Sequence, residues 1–177
     1  MRVYAFDAEF TDVDVKKARL VSFAAVPVVD DYVVDVARST YVEVKRESVG
    51  KSAVIHGITG GSGTVTEEEA MRLLRDVVQS SLLIVFGRLD VKFIKHHLKA
   101  DFRYIDVASA YLDWVSKREN LELYLTKEGV DLLKICKKLG VALVEQVFHH
   151  ALVDAVHTGL LYLKLKSMGV RLKVEKP

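Results

Sequence analysis

Apolar residues change their spacing once along this chain, and that change limits the fold more than any other feature. Up to about residue 44 they come in runs rich in Val, Phe, Tyr and Ala, at 1–9, 20–29 ("LVSFAAVPVV") and 32–44. Such runs are strand signals, and Asp30 and Asp31 supply a tight reversal between the second and third, which predicts an antiparallel meander. From Thr66 the period is that of a helix. Thr66 and Glu69 have capping-box spacing, and Ala70, Leu73, Leu74, Val77 and Val78 share one stripe. Residues 82–87 ("LLIVFG") read as a strand buried on both faces, 90–99 as a helix, 103–106 as a short strand, and the remainder as helices. The last of these runs over about 151–168 and is stopped by Gly169. A meander followed by strand and helix alternation predicts an α/β fold, a mixed sheet of about five strands flanked by helices.

The chain has 177 residues, 50% of them hydrophobic, and no Pro/Gly/Ser-rich linker divides it, so a single domain over 1–177 is expected. No apolar run reaches the roughly 18 residues of a membrane span, and no basic segment leads into an apolar one near Met1. A soluble, cytoplasmic protein is the expectation. Cys136, the only cysteine, lies in the apolar pattern "VDLLKICKKLG" and reads as a packing residue. A net charge of +2 admits nucleic acid as a partner without requiring it.

Acidic residues stand where such a sheet gathers its functional groups, at strand ends and the connections that follow them. Asp7 and Glu9, in "YAFDAEFT", end the first strand and leave it on one face. Asp90 follows "LLIVFG" at the turn into a helix, and Asp154 lies among apolar neighbours in the first turns of the final helix. Each has an ordinary reading: a solvated strand end for Asp7 and Glu9, a favourable helix N-terminal charge for Asp90, and a structural pair with His150 for Asp154. Brought together, four carboxylates repel, and divalent cations relieve that repulsion. Hard oxygen donors without a cysteine cluster select Mg²⁺ or Mn²⁺.

Taken in order, "FDAEFT", "IHGIT", "LDVKFI" and "HHALVDA" resemble the DEDDh superfamily of 3′→5′ exonucleases over roughly residues 1–166. The resemblance implies a ribonuclease H-like fold and hydrolysis of phosphodiester bonds at a 3′ end, releasing mononucleotides by a two-metal mechanism. It assigns Asp7, Glu9, Asp90 and Asp154 as ligands of two Mg²⁺ or Mn²⁺ ions. It makes His149, five residues before Asp154, the general base, with His150 as its near rival. Phe10, Thr11, His56, Gly57 and Ile58 match positions that touch the terminal nucleotide, although Phe10 and Ile58 also read as core residues and "HGIT" as a turn. Where the family often has His-Asn-Ala before its second acid, this chain has Val85, Phe86 and Gly87, and Arg88 is the candidate for a phosphate contact in their place.

The implied partner is DNA or RNA with a free, single-stranded 3′ end, with a polymerase or a second copy of the chain as further partners. Two other functions share these residues. One is a catalytically impaired module of the same fold that binds nucleic acid or a polymerase, and the other is an endonuclease of ribonuclease H-like fold.

Overall fold

Strand β1 (Arg2–Phe10) alternates two sets of side chains, and each set seeds a separate apolar layer. Phe6, Ala8 and Phe10 enter one layer, with the helices that follow the meander, and Ala5 enters the other, with the C-terminal helices. A computed structural model describes residues 2–45, 63–127, 129–142 and 150–177 of the chain, and β1 lies at the centre of its sheet.

Strand β2 (Leu20–Val29) pairs antiparallel with β1, and its other edge pairs antiparallel with β3 (Val33–Val34) and β4 (Thr40–Glu43). The single strand expected over 32–44 is therefore two. Asp35 interrupts it by accepting a hydrogen bond from the Arg38 N–H, which caps a short 3₁₀ turn over Val36–Arg38 and raises the strand count to six. Asp30 and Asp31 make the predicted reversal in left-handed backbone, at φ 51° and 60°.

Helix α1 (Glu67–Gln79) opens on the predicted capping box of Thr66 and Glu69 and leads into β5 (Ser81–Val85), which is buried throughout and runs parallel to β1. Helix α2 (Leu89–Leu98) then returns the chain to β6 (Arg103–Asp106), parallel to β5. The sheet order is β3-β2-β1-β5-β6, with β4 also on β2. Helices α3 (Val107–Val115), α4 (Leu121–Lys127), α5 (Leu132–Lys138) and α6 (Ala151–Ser167) complete the chain.

Cys136 is fully buried in α5, where burial pushes its thiol up to about 12, in keeping with a packing role. Among the described residues, no helix is long and apolar enough to cross a membrane.

Candidate active site

Because Asp7 and Glu9 share the parity of Ala5, they leave β1 on the face that α6 covers. That helix comes close to the strand at Gly159, where a Cβ would stand 3.0 Å from both Ala5 Cβ and Val34 Cγ2. Asp154 lies five residues earlier, about 7.5 Å back along the helix, and Asp7 and Glu9 lie roughly 7–13 Å beyond Ala5 along the strand. Close packing at Gly159 thus brings the first turn of α6 onto the end of β1. One oxygen from each of Asp7, Glu9 and Asp154 lies within 4.8 Å of the others, and all three residues are half-buried.

Asp90 joins from the neighbouring strand connection. Beyond β5 the chain turns at Gly87 (φ 87°), whose N–H donates to Asp106 Oδ1 at 3.0 Å. The same Asp106 oxygen accepts from the Ala108 and Ser109 N–H groups, so one buried carboxylate both caps α3 and fixes the turn that delivers Asp90. Asp90 is itself buried in the first turn of α2, and the Ala8 N–H on β1 supports its carboxylate.

The electrostatics follow from this crowding. Burial first, then Asp90, Glu9 and Asp154 in turn, hold the Asp7 carboxyl well above the usual range. Burial and Asp154 raise Glu9 to about 7. Asp90 is raised mainly by burial and then by Glu9, against the lowering effect of the Ala8 N–H. Oxygen donors this close, with their charges mutually disfavoured, fit a divalent cation of the Mg²⁺ or Mn²⁺ kind, which would draw all of them into the ionised form.

A stability experiment reads this directly. A carboxyl raised in the folded state stabilises the fold below its unfolded value and loses that contribution as pH rises through its folded value, for Glu9 between about 4.5 and 7. In EDTA the melting temperature should therefore fall as pH rises from about 5 to 8, and saturating Mg²⁺ should offset the fall. The gap between the two curves is expected to widen with pH. A gap of constant size across that range would mean that these acids do not share a cation.

Comparison with known proteins assigns the chain to a family. The sequence profile of RNase T, described as an exonuclease, matches residues 4–162. The chain belongs to the RNase T exonuclease family. With it comes membership of the DEDDh superfamily of metal-dependent 3′→5′ exonucleases.

Solved structures share the fold at low identity. A full-length 3′-exonuclease superposes with a TM-score of 0.66 at 14% identity, over 98% of this chain and 84% of its own. Exonuclease I from Methylocaldum szegediense gives 0.67 at 14%, over 94% of this chain and 40% of the relative. S. pombe Pop2p, solved in its Mg²⁺- and Mn²⁺-bound form, gives 0.63 at 14%, over 93% and 82%. No curated protein matches the chain.

The other residues singled out in the sequence fall in different places. Phe10 is buried with its ring 4.3 Å from that of Phe93, so its side chain stands in the core on the face of β1 opposite Asp7 and Glu9. Thr11 is half-buried just past β1, and its hydroxyl accepts the Arg19 N–H at 3.0 Å. Arg88 is exposed and turned toward β6 and the C-terminal segment, 3.2 Å from Glu175 and 4.0 Å from Asp106. His149, His56, Gly57 and Ile58 lie outside the described residues. His150 is the N-cap residue of α6, and its ring stacks on Tyr41 of β4 at 4.9 Å.

Sequence reasoning missed two contributors. Asp106 had a local signal, an acid directly before a helix, but its bond to Gly87 spans 19 residues and depends on β5 and β6 being neighbours. The entry to α5, Val130 to Leu133, which lines the cleft beside Asp7 and Asp154, had no signal beyond Asp131 as a helix cap.

Proposed function

We propose that this enzyme removes mononucleotides one at a time from the 3′ end of single-stranded DNA or RNA, with two Mg²⁺ or Mn²⁺ ions held by Asp7, Glu9, Asp90 and Asp154. The observation that carries this reading is the approach of the Asp7, Glu9 and Asp154 oxygens to within 4.8 Å, at the end of the central strand and beside buried Asp90. When bound, such ions supply a nucleophile at neutral pH and balance charge on the phosphoryl and leaving oxygens.

The chain's own contribution is to hold four carboxylates rigidly on β1, α2 and α6, so that little reorganisation accompanies the reaction. His149, immediately before the N-cap of α6, takes the proton of the attacking water. The mixed sign of the surface charge, with a net value of +2, suits a short footprint at a strand end better than a long basic groove.

The test is hydrolysis of 5′-labelled single-stranded DNA and RNA of matched sequence, with Mg²⁺, Mn²⁺ or EDTA. A ladder that descends from the 3′ end only when metal is present is expected, and the faster ladder identifies the preferred polymer. Cleavage of a substrate blocked at its 3′ end would replace this reading with an endonuclease. Intact substrate under every condition would favour a binding module.

A further inference from the structure

Helix α2 presents Asp90 in its first turn, yet it opens without the side-chain cap that fixes α1, α3 and α5. In those helices an oxygen of Thr66, Asp106 or Asp131 accepts a backbone N–H of the first turn, whereas Arg88, at the N-cap of α2, carries no side-chain acceptor. Its guanidinium is held instead. Nη2 lies 3.2 Å from Glu175 Oε2, and Nε lies 4.0 Å from Asp106 Oδ2, on the carboxylate whose other oxygen accepts the Gly87 N–H. Two consecutive residues are thus tied to acids, Gly87 by its backbone and Arg88 by its side chain. The Arg88 carbonyl carries the tie into the helix by accepting the Lys92 N–H at 3.0 Å.

Glu175 is a well-anchored partner for Arg88. It pairs antiparallel with Tyr104 of β6, its N–H donating to the Tyr104 carbonyl at 2.8 Å and its carbonyl accepting the Tyr104 N–H at 3.0 Å. The same Oε2 that meets Arg88 also accepts from the hydroxyl of buried Tyr104 at 3.0 Å. As an ion pair the contact adds little to global stability, because the Arg88 side chain is 57% exposed and water screens it. Its effect on geometry falls two residues on, at Asp90, where the placement of a ligand oxygen governs cation affinity.

We propose that Glu175 is a positioning residue of the metal centre. Through Arg88 it steadies the 87–90 turn and so sets how tightly Asp90 joins Asp7, Glu9 and Asp154 on a cation. This inference rests on the reading of those four carboxylates as the ligand set.

The experiment is calorimetric Mn²⁺ titration of the full chain at neutral pH, with each variant melted in EDTA to establish that it is folded. Glu175→Ala and Arg88→Ala should each weaken Mn²⁺ binding by about three- to tenfold, less than the 10–100-fold typical of a direct outer partner of a ligand. The double variant should lose no more than either single exchange, since both remove one link. Asp90→Asn should lose more than any of them. Lys173→Ala breaks the 3.5 Å pair with Asp113 and loosens the same segment without touching Arg88, so its affinity should stay at the wild-type value. Arg88→Ala leaves the Glu175–Tyr104 pairing intact and carries the comparison if exchange of Glu175 unfolds the chain.

Wild-type affinity in Glu175→Ala or Arg88→Ala, additive losses in the double variant, or an equal loss in Lys173→Ala overturns the inference and leaves the carboxylate centre standing. Absence of Mn²⁺ binding by wild type, or undiminished binding by Asp90→Asn, overturns the reading of the ligand set and this inference with it.

Discussion

Exchange of Asp7 for Asn should lower hydrolysis more than about 100-fold and, in EDTA at neutral pH, raise the melting temperature above that of wild type. The first effect follows from chemistry: loss of an outer partner of a metal ligand typically costs 10–100-fold, and Asp7 is a direct candidate ligand at the centre of the cluster. The second follows from sign. Burial and three acidic neighbours disfavour the ionised Asp7, so the charge opposes folding near pH 7 and the neutral, nearly isosteric Asn removes that opposition. Each kcal/mol recovered moves the melting temperature of a chain this size by about 2–4 °C. Calorimetric Mg²⁺ titration should show weakened binding in the same variant. A variant that is inactive but also less stable in EDTA would indicate a structural carboxylate instead.

The opposed effects at Asp7 also explain why part of the site was legible in the sequence. A carboxylate pair at the end of an apolar strand conflicts with stability, and a conflict of that kind marks function. Phe10 reads in the sequence both as a nucleotide contact and as a core residue, and alternation along β1 puts its ring against Phe93, on the face opposite Asp7 and Glu9. The helices and parallel strands from Thr66 onward followed from hydrophobic period and capping, because those signals are local.

What escaped depends on competition or on distance. The 32–44 run had the composition of one strand, but the Asp35 carboxylate offered the backbone a local hydrogen bond that the ladder lost to. The close approach of α6 at Gly159 required knowing that Ala5 and Val34 lie beneath it. Those contacts join residues far apart in the chain, and no single window contains them.

The segment before Asp90 shows the same dependence on tertiary structure. Val85, Phe86 and Gly87 depart from the triplet often found in the family, yet each has a defined place here. Val85 is fully buried at the end of β5, Phe86 borders the cleft, and Gly87 takes the left-handed backbone from which its N–H meets Asp106. A side chain at Gly87 meets no neighbour within 4 Å, so the demand for glycine comes from φ alone. The departure is thus compatible with delivering Asp90.

Replacement of His149 by Ala should slow hydrolysis by about 10²–10⁴-fold, the usual contribution of a positioned general base, while Mg²⁺ affinity stays close to that of wild type. The two adjacent histidines separate by role. His150 is the N-cap residue of α6 with its ring on Tyr41, so His150→Ala should act mainly on stability and leave the rate within a few-fold. An imidazole of ordinary basicity titrates near about 6.5, and a base must be unprotonated to accept the water's proton, so wild-type kcat should rise from mildly acid to neutral pH. The measurement needs saturating Mg²⁺, since the raised carboxyls also ionise in that range and would otherwise add the pH dependence of metal binding. Under those conditions the rise should vanish in His149→Ala and persist in His150→Ala. If the rise survives in His149→Ala and disappears in His150→Ala, the proton goes to the residue that caps the helix, and the spacing of five residues before Asp154 has selected the wrong histidine.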